Sequence, residues 1–145
     1  MSIYEAIFNR CSVREYEMEK LAPGRLEALE RYLKNIALLD EEKTVKFEII
    51  DNSDGKQKIH GLWKVEAPYY LAVYCGNDQL SVRNAGYAAE QAVLYLTSKE
   101  LGTCYLGATK AGCRAKSPQS ASAARRFPVF ILPCNMKKSP LCLFN

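Results

Sequence analysis

The chain has 145 residues, a length that suits one domain around one core. Hydrophobic residues make up 48% of it and tyrosines number nine, which excludes an intrinsically disordered protein. The formal net charge of +4 hides an asymmetry: residues 1–109 carry 13 Lys and Arg against 16 Asp and Glu, whereas residues 110–145 carry seven basic residues and no acidic one. The basic character belongs to a tail, not to the domain.

No apolar run reaches the roughly 18 residues of a membrane span, and MSIYEAIFNRCS lacks the apolar stretch of a signal peptide. A soluble, cytoplasmic protein is expected. Cys11, Cys75, Cys104, Cys113, Cys134 and Cys142 form no CxxC pair and no zinc spacing. They read as small hydrophobes, and no metal site is expected.

In chain order, Ser2-Ile3-Tyr4-Glu5 has the form of a capping box, and Ile3, Ala6 and Ile7 give a short helix an apolar stripe ending near Asn9. Arg10-Cys11-Ser12-Val13-Arg14 follows as an extended exit. Two guanidinium forks and a hydroxyl within five residues can converge on one anion. They can equally be surface arginines paired with Glu15, Glu17 or Glu19, and such pairs are the commoner case. Ala22-Pro23-Gly24 starts a second helix, whose Leu26, Leu29, Leu33, Ile36 and Ala37 predict helix to about Leu39. Thr44 to Ile49 alternates as a half-buried strand, and Asp51 to Gly55 is turn chemistry. His60 is the only histidine, and with no carboxylate at a telling spacing it reads as packing beside Gly61, Leu62 and Trp63.

Tyr69 to Cys75 is a continuous apolar run between Pro68 and Gly76, as expected of a central strand. Gly76-Asn77-Asp78 then turns the chain into the stretch Ser81–Gly107, around which the rest is organised. From Asn84 to Lys99 a helix is predicted that is apolar nearly all round, so buried nearly all round. In so short a chain that burial calls for a second subunit. Leu101-Gly102-Thr103-Cys104-Tyr105-Leu106-Gly107 is a glycine-punctuated turn where something approaches closely, either another backbone or a flat ligand. Ala108 to Arg126 has no period and reads as irregular; Phe127 to Leu132 is a further strand candidate. The mixture predicts an α+β fold.

These pieces, in this order, resemble the nitroreductase family of flavin enzymes, in particular its TM1586-like branch. Three stretches carry the resemblance. Ile3–Ile7 followed by Asn9–Tyr16 is similar to the family's opening helix and RRSVR-type motif. Gly61 to Leu71 is similar to its GLF…APHYL strand. Asn84–Tyr87, Gln91, Leu94–Ser98 and Leu101–Gly107 form the third and most specific match. The resemblance covers about residues 1–110. Beyond it the branch's serine–asparagine–glutamine–proline–tryptophan motif has no counterpart, since Trp63 is the only tryptophan. Residues 111–145 are therefore expected to be a basic tail with a possible strand at 127–132, on a fold truncated relative to the family. A shifted reading frame or truncated gene would produce that pattern.

The resemblance implies a nitroreductase-like sheet packed with helices, with the long central helix buried at a homodimer interface and FMN at the subunit boundary. Arg10, Ser12 and Arg14 match the positions that hold the FMN phosphate and ribitol. Cys11 stands where the family often has a basic residue. The backbone at Leu106, Gly107 and Ala108 matches the segment that lies against the isoalloxazine, where amide donors tune the ring without titrating. No catalytic side chain is implied, because the chemistry belongs to the flavin. The implied activity is NAD(P)H-dependent reduction of a small flat acceptor, such as a nitro compound or quinone. The alternative is a non-catalytic remnant serving as a dimeric binding or interaction module. Nucleic-acid binding through the basic tail is the weakest reading, since no aromatic-interleaved basic face or recognition helix accompanies it.

Overall fold

The computed structural model describes residues 1–56, 59–60, 65–106, 110–111, 125–126 and 130–132, with backbone alone for 59–60 and for everything beyond 106. Its first helix, α1 (Ile3–Asn9), is set by a reciprocal cap. Ser2 Oγ accepts from the Glu5 amide at 3.2 Å while the Glu5 carboxylate accepts from the Ser2 amide at 2.8 Å. Ala6 is its buried residue, on the side that meets the long helix; Ile3, Tyr4, Ile7 and Phe8 stay exposed.

Helix α2 (Pro23–Lys34) starts with proline in its first turn, where the missing N–H is not needed. It ends at Asn35 and not near Leu39. Side chains from the long helix take over the backbone groups that follow: Gln91 Nε2 donates to the Ala37 carbonyl at 2.8 Å, and Asn84 Oδ1 accepts from the Leu39 amide at 2.7 Å. Tertiary bonding outweighs the helical period that Ile36 and Ala37 prolong.

Strand β1 (Val45–Asp51) pairs antiparallel with β3 (Tyr69–Cys75) from Val45↔Cys75 to Asp51↔Tyr69. Between them comes β2 (Ile59–His60). The long helix α3 (Gln79–Ser98) begins five residues before Asn84, because Asp78 caps it by accepting from the Ser81 amide at 3.0 Å. The Ser81 hydrogen bonds, with Lys43 assisting at 3.4 Å, hold the Asp78 carboxyl down to about 2. Strands β4 (Cys104–Tyr105), β5 (Lys110–Ala111), β6 (Arg125–Arg126) and β7 (Phe130–Leu132) follow.

The main sheet runs β1-β3-β7-β4 with β6 also on β3, and β2 pairs with β5 in a separate ribbon. Tyr69–Cys75 is thus the central strand its sequence predicts. The strand expected at 127–132 is present as β7, pairing with β3 and β4, while 127–129 lie outside the described residues. The irregular reading of Ala108–Arg126 is corrected at β5 and β6: Arg125 and Arg126 pair through their backbones with Cys75 and Tyr74, which no side-chain period reports.

Alternation along β3 divides the interior. Tyr69, Leu71, Val73 and Cys75 face the layer made by α2 and α3, against Leu29, Leu33, Ala85, Ala89, Ala92, Val93 and Leu96. Tyr70 faces the other way, with Ala67 and Leu106, and Tyr16, Ile50 and Val65 cover them. Each large side chain so buried contributes about 1.5–3 kcal/mol of transfer free energy. Along α3 one stripe stays open in the single chain, with Arg83, Gly86 and Tyr87 exposed. Among the described residues no helix is long and apolar enough to cross a membrane.

Candidate functional site

The chain leaves α1 at Arg10, whose amide closes the helix on the Ala6 carbonyl at 2.9 Å and whose backbone is already extended. It then runs beside the turn that follows α3. Ser12 and Thr103 form a parallel bridge, and the Val13 amide donates to the Thr103 carbonyl at 3.0 Å. Two segments some ninety residues apart in sequence, roughly one long loop closure, are thereby fixed side by side.

Gly102 makes the approach possible. A Cβ there would sit 2.6 Å from Val13 Cγ2 and 2.9 Å from Val13 Cβ. Of the two reasons for glycine in this turn, the close neighbour at Gly102 is another stretch of the same chain. A branched side chain can yield little, so Gly102→Ala is expected to cost about 1–3 kcal/mol. It should also speed amide exchange at Val13, because the two segments must separate. Urea unfolding and exchange at that amide measure both effects.

Two polar atoms on these segments are buried without a hydrogen-bond partner: Arg10 Nη1 and Thr103 Oγ1. Among the described residues neither Arg10 nor Arg14 makes an ion pair, so pairing with Glu15, Glu17 or Glu19 does not account for them. Ser12 and Arg14 are exposed and Cys11 is half-buried. Tyr16 closes the segment by donating its hydroxyl to the Val13 carbonyl, and burial pushes its pKa strongly up. Tyr16 also packs over Leu106, which is buried. The structure therefore brings Arg10, Cys11, Ser12, Arg14 and Leu106 into one neighbourhood. Gly107 and Ala108 lie outside the described residues, as do Gly61, Leu62, Trp63 and the His60 side chain.

The donor set suits an anion. A buried guanidinium N–H and a buried hydroxyl, both unpaired, lie on adjoining segments with a serine hydroxyl and a second arginine beside them. Unsatisfied buried donors are costly enough that folded proteins rarely keep them idle. A phosphate fits this arrangement.

The family model described as "Putative TM nitroreductase" matches residues 2–132. The chain belongs to the nitroreductase family. That span runs past residue 110, where the sequence motifs themselves stop, and takes in β5, β6 and β7. Among solved structures, a nitroreductase family protein from Clostridium novyi NT matches with a TM-score of 0.75 and 15% identity, over 94% of this chain and 87% of that one. A nitroreductase with bound FMN from Bacteroides fragilis matches at 0.68 and 16% identity, covering 96% and 91%. A Thermotoga maritima protein described in the same terms as the family model matches at 0.54 and 24% identity, over 93% of this chain and 50% of that one. No curated protein matches. The nitroreductase fold, with helices on an antiparallel sheet, is the one the sequence predicts.

Sequence reading missed three residues of this neighbourhood. Thr103 carries one of the two orphaned atoms. Tyr105 donates its hydroxyl to Glu90 on α3. The available signal was Glu90 itself, the single acidic residue in the twenty of α3. Nothing in the sequence says that it meets Tyr105.

Proposed function

We propose that the protein is an FMN-dependent oxidoreductase of nitroreductase type. The observation that carries this reading is the orphaned pair Arg10 Nη1 and Thr103 Oγ1 on two bridged segments beside Ser12. A buried guanidinium nitrogen with no carboxylate partner is stabilised by an anionic ligand that brings its own charge. Arg10, Ser12 and Arg14 would hold the FMN phosphate and ribitol, with Cys11 a neutral member of the segment. Leu106, Gly107 and Ala108 would lay backbone along the isoalloxazine, fixed at one end by the burial of Leu106 under Tyr16 and beside Tyr70. When bound, FMN would supply hydride transfer from NAD(P)H to a flat acceptor such as a nitro compound or quinone. The chain's own part is to bind, orient and shield; no side-chain acid or base is assigned.

A homodimer is part of the proposal. Ile3, Tyr4, Ile7 and Phe8 on α1, together with Leu80 and Tyr87 on α3, leave large apolar side chains in water in the single chain. A second copy laid against the open stripe of α3 would cover them, in keeping with their size and number. The activity test is oxidation of NADH and NADPH by FMN-loaded protein with a nitroaromatic or a quinone as acceptor. Acceptor-dependent turnover is expected, and none with protein that holds FMN would overturn the enzymatic reading.

A second reading is a non-catalytic dimeric remnant. Its support is that the branch's serine–asparagine–glutamine–proline–tryptophan motif has no counterpart in this sequence, whose one tryptophan is Trp63. Protein that stays dimeric and colourless after exposure to FMN would favour it.

A further inference from the structure

At the end of α3 the chain turns back and leaves a small apolar pocket against α2. The Glu100 amide donates to the Thr97 carbonyl at 2.9 Å, and the Leu101 amide to the Leu96 carbonyl at 3.0 Å. That pair of bonds is a Schellman turn, whose left-handed position is usually glycine. Glu100 takes it with a φ of 62°, and Leu101 joins Leu96 in the core. Leu96, Leu101 and Leu29 of α2, all buried, wall a pocket of about 150 Å³, which Ala28 and Tyr95 also line. Tyr95 stacks on Tyr32 with ring centroids 4.0 Å apart, and the Lys99 ammonium lies 5.5 Å from the Tyr95 centroid. Arg25 and Lys99, both exposed, are at the pocket too, and no acidic side chain lines it. Among the described residues neither cation makes an ion pair.

We propose that this pocket binds a small aromatic carboxylate, with its ring against the leucines and its charge beside Arg25 and Lys99. Leucine walls give a water molecule no partner, and a dry cavity of about this size takes a benzene ring. Tyr95, held by its stack on Tyr32, presents an aromatic surface that suits such a ring. Two unpaired cations with no acid beside them favour an anionic head group over a neutral or cationic one. None of Arg10, Ser12, Arg14 and Thr103 lines the pocket, so it is separate from the anion site. Leu80, Arg83 and Tyr87 lie in the first half of α3, so the pocket and the proposed dimer face occupy opposite ends of that helix.

The test is an amide chemical-shift titration of the full, flavin-free chain with phenylacetate and with its neutral counterpart, phenylacetamide. Saturable shifts at the amides of Ala28, Leu29 and Leu101 are expected, with a Kd for the acid on the order of 1 mM. Two exposed cations acting together should make the amide bind about tenfold more weakly than the acid. Arg25→Gln and Lys99→Gln should each weaken the acid about threefold and leave the amide unchanged. Ala28→Leu fills the pocket, so it should abolish binding of both while Tm holds or rises. Several results overturn the proposal: no saturable shift at these amides, equal affinity for acid and amide, or a folded A28L protein that still binds. Shifts centred on Val13 and Thr103 would place the acid at the Arg10 segment and overturn it as well. Should A28L fail to fold, the acid–amide comparison and the R25Q and K99Q variants decide alone. A protein that never retains FMN leaves the claim standing or falling on this titration, since no step of it uses flavin.

Discussion

Replacing Arg10 with methionine is expected to hold or raise the stability of the flavin-free protein while weakening FMN binding by about 10- to 100-fold. The two effects have one cause. Arg10 Nη1 is buried with no hydrogen-bond partner, and an unsatisfied buried donor costs about 1–3 kcal/mol, more when charged. Methionine keeps much of the stem's packing and removes that cost. With phosphate present the same group makes charge-assisted hydrogen bonds, whose loss is worth about 1.5–3 kcal/mol. Urea unfolding of the apo protein and fluorescence titration of FMN read the two arms separately. A purely structural arginine would lose stability on substitution and leave flavin affinity untouched. Arg10→Lys should recover the affinity only in part, because an ammonium offers no planar fork.

Asn84→Ala is expected to destabilise the protein by about 3 kcal/mol, roughly 10 °C in Tm for a domain of this size. Asn84 is fully buried, and its side chain uses both ends. Oδ1 accepts from the Leu39 amide at 2.7 Å, while Nδ2 donates to the carbonyls of Asp40 at 2.9 Å and Lys43 at 3.2 Å. One residue of α3 thus closes the connection between α2 and β1, where the chain has stopped being helical. Truncation removes three hydrogen bonds and leaves backbone groups to find water. Calorimetry measures the loss, and FMN affinity should change little because the Arg10–Arg14 segment is not among its partners. A cost under about 1 kcal/mol would mean that water satisfies the loop without Asn84.

The parts of the fold legible in the sequence are those written in side-chain chemistry at short range. Ser2 and Glu5 specify α1 by a box three residues wide, and the apolar run Tyr69–Cys75 specifies a strand paired on both edges. Asn84 was visible as part of a family-like motif, but its work on residues 39–43 is a contact across some forty positions that no local pattern encodes. The end of α2 differs from its sequence period for the same reason: Ile36 and Ala37 keep the helical spacing, while Gln91 bonds the Ala37 carbonyl and tertiary structure wins. Arg125 and Arg126 pair with Cys75 and Tyr74 through the backbone, which no side-chain period reports.

The candidate site divides along the same line. Arg10, Ser12 and Arg14 were visible because a cluster of anion donors within five residues is itself a local pattern. Thr103, Tyr105 and Glu90 were not, since each gains its meaning from a neighbour brought in by the Ser12–Thr103 bridge or by the packing of α3. Glycine at 102 marks a close approach in the sequence, and the neighbour it admits is Val13.

The central claim is that the Arg10–Arg14 segment and the Gly102–Leu106 segment together form an FMN site. The visible absorption spectrum of the purified protein, recorded after incubation with FMN and desalting, tests it most directly. Flavin absorption that stays with the protein in stoichiometric amount, and falls away in R10M, is the predicted result. A colourless wild-type protein after the same treatment would contradict the account, and the orphaned donors would then need another anion.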